Sequence, residues 1–377
     1  MNATIKLKTT AGIQGMPAVV RLWEKGEKAK GGEAIILVKL QILGKGKGEN
    51  DMCTCIAMRG KHFYFGRNMD IECSFGERVV LMPRKFLYPY QFMGKESEGY
   101  AMIGMAAVYA GVPLYAEGMN ECGVCMAALQ FPGNAHYFSQ PTQGKINVAP
   151  YELIPYLLRN CQTVSAAEER LRAVRLIDKP FLAELPLAQL HWMIADRERT
   201  IVAEPTEDGL AIYENPFDVL ANNPEFGYHR QHVNEFLNVT AAHAENRMLK
   251  TLPLRPYGQG MGAIGLPGDC SSSSRFVRAV FYLHNSDRQS EGISQIFHIL
   301  SGAEMIRGSV RTSSDQIDWT IYACGMDASD GIYYFKHYQN HRLSAVPFLR
   351  ENLEGHALRE FALEREEDVL ICRSDPQ

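Results

Sequence analysis

From residue 53 onward the apolar positions fall into short dense runs rather than long helical stripes. Runs at 55–58 and 62–65 flank Arg59-Gly60-Lys61, which predicts a hairpin. The runs 100–109, 112–116 and 124–129 are apolar on consecutive positions and punctuated by glycine, the pattern of strands covered on both faces. Helical spacing follows over 150–160 and in a second segment opened by Ser165-Ala166-Ala167-Glu168, which reads as a capping box. Segments 190–195 and 200–204 return to strand character, while 225–238, 272–284 and 293–306 read as helices. The chain closes with strands at 319–326 and 332–338, joined through Asp330-Gly331, a strong hairpin signal. Strands, helices, strands, helices and strands in that order predict two sheets with helices outside. No repeat, low-complexity tract or linker interrupts residues 53–377, so they are expected to form one domain.

Residues 1–52 stand apart as a non-domain N-terminal extension. The first 51 residues hold nine Lys/Arg and five acids, a balance of +4 that leaves −8 for the remainder of a chain with formal charge −4. Gly31-Gly32 and Gly44-Lys45-Gly46-Lys47-Gly48 break the segment, and no helical or strand period persists. A propeptide, a disordered extension and a start placed too far upstream all fit. Lys47-Gly48-Glu49 can be encoded by AAA-GGA-GAA, which contains a purine-rich AGGAG ribosome-binding sequence, with Asn50 and Asp51 as spacer before the Met52 codon. Synthesis is therefore expected to begin at Met52.

Composition narrows the classes. With 46% hydrophobic and 22% charged residues the 377-residue chain reads as soluble and globular. The slightly acidic balance offers no basic field for nucleic acid. No apolar run nears the roughly 18 residues that cross a bilayer, so no membrane partner is expected. No secretory signal is recognisable, and a cytoplasmic location is the expectation. The nine cysteines are scattered and odd in number, which suits reduced core thiols. Cys122-Gly123-Val124-Cys125 has no second pair at zinc spacing, so core packing is favoured over metal or redox chemistry.

Chemistry concentrates near residue 53. A cysteine at a true N-terminus carries its own base: the α-amino group titrates near 7.7–8.0 and a free thiol near 8.5, about balanced for proton transfer. Arg67 would favour the thiolate, and Asp70 could orient the amine. His191 offers a Cys–His pairing, but its apolar strand favours a structural histidine. Residues 118–121 and 221–224 read as tight turns at strand ends. The glycines of 262–269 lack the Gly-Lys-Ser/Thr ending of a phosphate loop. Ser271–Ser274 could cap the next helix, with Arg275 in its first turn against the helix dipole, which points to a task beyond local stability.

Together the segments resemble the choloylglycine hydrolase family, the bile salt hydrolases and penicillin V acylases within the N-terminal nucleophile hydrolases. The motifs are Met-Cys-Thr at 52–54, Phe-Gly-Arg-Asn-Met-Asp-Ile-Glu at 65–72, Glu-Gly-Met-Asn-Glu at 117–121 and Leu-His-Trp-Met-Ile at 190–194. Asn222-Asn223-Pro224, Leu-Pro-Gly-Asp at 266–269, Ser274-Arg275-Phe276 and Ile306-Arg307-Gly308-Ser309 complete the set, so the likeness runs from Met52 to about Glu354. It implies an α+β fold, the four-layer αββα sandwich, and cleavage of the amide joining a steroid acid to glycine or taurine, without cofactor or metal. By position Cys53 matches the nucleophile, Arg67 and Asp70 its partners, and Asn222 and Arg275 the remaining catalytic pair. Gln130 stands where bile salt hydrolases carry asparagine and penicillin V acylases often tyrosine, so its amide sits one methylene further out. A shift of about 1 Å in a catalytic group can cost on the order of 100-fold in rate. Met69, Tyr109 and Ala116 match pocket positions, and Phe181 and Leu182 join them on apolarity and location. The resemblance further implies a bacterial homotetramer acting on a conjugated bile acid. A penicillin V or other acyl-amide acylase is the alternative, and a non-catalytic binder of acyl amides or steroids is a third if the prefix is retained.

Overall fold

The computed structural model describes residues 52–183, 187–287 and 292–372. The expectations for residues 1–51 lie outside the described residues.

Among the described residues, a seven-stranded sheet runs in the order Val219–Leu220, Met52–Arg59, Phe63–Ile71, Ile317–Asp327, Ile332–His337 and Asn340–Pro347, with Val310–Arg311 paired to Ile317–Asp327. A nine-stranded sheet lies against it. Its order is Gly209–Glu214, Thr200–Thr206, Leu190–Ala195, Cys125–Gln130, Glu117–Asn120, Met102–Tyr109, Arg78–Met82 and Arg359–Phe361, with Val112–Tyr115 on Met102–Tyr109. Helices Ser272–Asn285 and Ile293–Ser301 cover the outer face of the first sheet, and Leu153–Asn160 and Val164–Ala173 that of the second. The result is the expected αββα sandwich.

Two cores explain the unbroken apolar runs. Successive strand residues point to opposite faces. Cys125, Ala127 and Leu129 therefore face the first sheet, while Met126 and Ala128 join the core beneath the helices. Met193 and Ala195 likewise point between the sheets, and Trp192 and Ile194 toward Leu157 and Leu171. With both faces covered, neither parity faces water, so a polar side chain on these strands needs a buried partner.

Several boundaries differ from the sequence reading. Glu117–Asn120 is a buried strand rather than part of a turn, and the turn begins at Glu121. The second helix is capped by Thr163, whose hydroxyl accepts the Ala166 amide at 3.2 Å, so Ser165 lies inside the helix. The segment read as a helix over 293–306 stops at Ser301, because Gly302 and the turn after it lead into the next strand. Of the CxxC pair, Cys125 is buried core and Cys122 is exposed in the turn.

Candidate active site

The hairpin between the first two strands assembles the site by register alone. Cys53 lies opposite Met69, Cys55 opposite Arg67, Thr54 opposite Asn68 and Met52 opposite Asp70. Opposed residues share a face of the sheet. Cys53, Met69 and Arg67 thus point toward the second sheet, while Thr54, Asn68 and Asp70 point toward the helices. The contacts agree: Arg67 reaches Glu117 of the second sheet, Thr54 meets Arg275 of the helix Ser272–Asn285, and Asn68 donates to the Leu300 carbonyl.

Cys53 is held on three sides. Its Sγ accepts from Arg67 Nη2 at 2.6 Å, its amide donates to Asn222 Oδ1 at 2.6 Å, and its carbonyl accepts from Arg275 Nη1. Asn222 Oδ1 also accepts from Arg275 Nη2 at 2.9 Å, and Asn222 Nδ2 donates to the Gln130 carbonyl at 2.9 Å. Two obligate donors on one atom and an acceptor on the other leave a single orientation for this amide. The structure thus brings Cys53, Arg67, Asn222 and Arg275 together across 222 residues of chain, joining the start of the first strand to a later helix.

Asp70 completes the group behind the amide. Thr320, its cross-strand neighbour, donates to Oδ1, and Arg275 lies 4.0 Å from Oδ2, which has no hydrogen bond. Burial pushes the Asp70 carboxyl up to about 6 against the pull of Arg275 and the Thr320 hydroxyl. Burial also lifts the Cys53 thiol to about 11, with Arg67 opposing it. While Met52 is attached, the thiol is therefore neutral at physiological pH, and the nearby guanidinium does not alone produce a thiolate.

Arg67 is fully buried and uses every nitrogen. Besides the cysteine, it donates to the carbonyls of Ala116 at 3.1 Å, Ala128 at 2.9 Å and Asn68 at 3.4 Å, and to Glu117 at 3.3 Å. Such a pair is tolerable away from water only when the remaining donors and acceptors are satisfied.

The expected pocket residues divide into two groups. Met69 places its sulfur 3.9 Å from Cys53 Sγ, and Ala116 serves Arg67 through its carbonyl. Tyr109 and Phe181 meet edge-to-face at 5.6 Å, with Tyr151 at 5.4 Å from Phe181 and Leu182 half-buried next in the chain. Tyr109 stands four residues beyond Met105, whose amide reaches Glu117, a rise of about 13 Å along the strand. Gln130 touches Asn222 through its main chain. His191 is structural: it bonds Glu204 at 3.2 Å and stacks on Phe131.

Sequence reasoning missed Thr54, Glu117, His229 and Thr320. His229 Nε2 donates to the Asn222 carbonyl at 2.9 Å, and burial depresses the ring to about 4, so it is neutral with its proton on Nε2. A signal existed for Glu117, a lone acid inside an apolar strand run, because a buried charge requires partners.

Comparison with known proteins gives the same picture. The model of the family of linear amide C–N hydrolases, choloylglycine hydrolase family, matches residues 53–361. A bile salt hydrolase/transferase of Lactiplantibacillus plantarum is 37% identical over 84% of this chain and 98% of its own length. One from Clostridium perfringens is 35% identical, covering 82% and 96%. The crystal structure of a mutant conjugated bile acid hydrolase from Clostridium perfringens superposes with TM-score 0.81 at 33% identity, over 85% of this chain and 100% of that one. A penicillin V acylase from Agrobacterium tumefaciens shares the fold at TM-score 0.65 and 18% identity, over 82% of this chain and 90% of that one. The chain belongs to the choloylglycine hydrolase family of linear amide C–N hydrolases, within the N-terminal nucleophile hydrolases.

Proposed function

We propose that this chain hydrolyses the amide of glycine- or taurine-conjugated bile acids, with Cys53 as nucleophile and its own α-amine as base. The observation that carries this reading is the three-sided hold on Cys53, which aims one thiol while anchoring both ends of its backbone unit. In the mature form residues 1–52 are absent: synthesis starts at Met52 and that methionine is trimmed. Asp70, aligned with Met52 in the strand register, has a buried oxygen without a hydrogen bond, suited to a new amine hydrogen.

The amine takes the thiol proton, and the thiolate attacks the amide carbonyl to form a tetrahedral oxyanion. Backbone N–H groups and the second Asn222 Nδ2 hydrogen stabilise that charge, and one well-aimed donor is worth about 3–4 kcal/mol. The α-ammonium protonates the departing nitrogen of glycine or taurine. The amine then deprotonates a water that cleaves the thioester, which releases the bile acid and restores the thiol. Arg275 holds the carbonyl of Cys53 and Asn222, Arg67 holds the sulfur, and Asp70 orients the amine. Gln130 borders the oxyanion site. Met69 and Ala116 line the entry, and Tyr109, Phe181 and Leu182 extend an apolar surface for the steroid.

The test is turnover of glycocholate, taurocholate and penicillin V side by side. Preference for either bile salt is expected, and preference for penicillin V would replace this reading with the acylase one. Among the described residues no helix is long and apolar enough to cross a membrane, which suits the proposed cytoplasmic location. We further propose a homotetramer. The loop before the helix Ser272–Asn285 exposes Leu237, Met248, Tyr257 and Ile264, and light scattering at a monomer mass would refute the assembly.

Asp70 sets an acid limit. It holds an ammonium only while ionised, so kcat is expected to fall as pH drops through about 6 or below, because the freed ammonium lowers the carboxyl from its present position. Asp70→Asn should reduce kcat by about 100-fold and remove this limb from the pH–rate profile. An unchanged profile would separate Asp70 from catalysis.

A further inference from the structure

Behind Arg67, on the side away from the cysteine, lies a buried polar cluster that the proposed reaction does not use. Glu117 is fully buried and both its oxygens are occupied: Oε1 accepts from the Tyr333 hydroxyl at 2.8 Å and the Met105 amide at 3.2 Å, and Oε2 from the Tyr322 hydroxyl at 2.8 Å and Arg67 at 3.3 Å. Two of these four partners, the amide and the guanidinium, can only donate, and the tyrosines supply the other two donors. Burial pushes the Glu117 carboxyl up, but an environment made only of donors suits the ionised carboxylate and opposes that shift.

The backbone is shaped to bring the carboxylate there. A Cβ on Gly104 would lie 1.9 Å from the Glu117 carbonyl, and one on Gly118 would lie 2.7 Å from the Ile103 carbonyl. Only glycine at both positions lets these neighbouring strands close to that distance, which sets Glu117 between the Met105 amide and the two tyrosines of the opposite sheet.

We propose that Glu117, clamped by Tyr322 and Tyr333, is a positioning residue that fixes the Arg67 guanidinium against the Cys53 sulfur and offsets its positive charge. The proposal rests on the reading of Cys53 as nucleophile. Glu117 does not touch the reacting atoms; it acts through Arg67. Without that anion the guanidinium's full charge would draw the thiol's titration down, and the contact that aims the guanidinium at the sulfur would weaken. Without the clamp, the guanidinium could swing from the sulfur. The other ionisable groups around the thiol and Arg67 are Asp70, Arg275, Cys55, Cys324 and Tyr322, and they remain in place when Glu117 alone is neutralised.

Two measurements on protein produced from Met52, with its N-terminus verified by mass, test this. The rate of Cys53 alkylation by iodoacetamide is followed against pH, and kcat and KM are measured with glycocholate. Glu117→Gln keeps the shape and removes the charge. It should move the alkylation midpoint down by about one pH unit and lower kcat at least 10-fold, with KM within 2-fold. An unmoved midpoint, or one displaced upward, overturns the offsetting role. The pair Tyr322→Phe and Tyr333→Phe keeps the carboxylate and loosens its clamp, and remains informative if Glu117→Gln does not fold. It should lower kcat at least 5-fold with the midpoint within about 0.3 unit, and unchanged kcat overturns the clamp. Alkylation reads the thiol without substrate. Failure of the bile-salt reading would therefore appear as no wild-type turnover beside an intact wild-type alkylation profile, a pattern distinct from either failure above.

Discussion

Cys53→Ser is expected to lower kcat for amide hydrolysis by on the order of 10⁴ or more while leaving the melting temperature nearly unchanged. Serine keeps the β-oxygen within reach of Arg67 Nη2 and leaves the backbone bonds to Asn222 and Arg275 in place. What changes is acidity. A free thiol and an α-amine lie within about one pKa unit of each other, whereas an alcohol is far weaker as an acid. The same amine therefore cannot deprotonate it before attack, and the proton must move as the bond forms, in a site built around sulfur. Arg67 would then face a neutral hydroxyl, and the attack step would lose its nucleophile without any loss of packing. Release of glycine from glycocholate, measured beside a thermal melt, checks both halves. Full activity in this variant would end the mechanism proposed for the chain.

A second large effect is expected from the residue on the other side of the peptide bond. Protein produced from Met52 should have a mass beginning at Cys53 and be active, whereas protein retaining all 377 residues should be slower by at least about 10³-fold. The argument is electronic before it is steric. In the full chain the nitrogen of Cys53 is a peptide nitrogen that donates its single hydrogen to Asn222 Oδ1. Its lone pair is delocalised, so it can neither accept the thiol proton nor protonate a leaving amine. Met52 also occupies the register position beside Asp70, where the proposed ammonium would sit. The same thiol, with the same arginine beside it, thus has no base. Intact-mass spectrometry paired with turnover decides the matter: an active chain that still carries residues 1–52 would refute the requirement for a free amine.

Much of the architecture was legible because both sheets are covered on both faces. That geometry writes continuous apolar runs into 100–109, 124–129 and 190–195, and the structure returns strands there. The nucleophile hairpin was legible from Arg59-Gly60-Lys61, and it carries the register that aligns Cys53 with Met69. Local signals misled where tertiary partners decide the outcome. Glycine and asparagine at 118 and 120 looked like turn chemistry, yet Gly118 is there for close strand approach, and Asn120 bonds the Leu158 and Cys161 carbonyls from within a strand. Ser165 looked like a cap because Glu168 follows three residues later, but Glu168 instead pairs with Arg172 and Arg199. The meeting of Cys53 with Asn222 and Arg275 was accessible only through family resemblance, since nothing local in either segment specifies a partner more than 160 residues away. Glu117 was visible as an acid in an apolar run and still went unassigned, because its four donors come from four separate strands.

The anchoring of Cys53 also bears on how such enzymes diversify. In the proposed mechanism nucleophile and base belong to one residue, and its amide, carbonyl and sulfur are each tied to a different segment. The aromatic group of Tyr109, Tyr151 and Phe181 lies on other elements and shares none of those ties. On the proposed reading, drift at the strand end, short helix and bend that carry these rings can therefore exchange one acyl group for another without retuning the proton transfer. Selection for new substrates can act on the rim while the reactive centre is inherited unchanged.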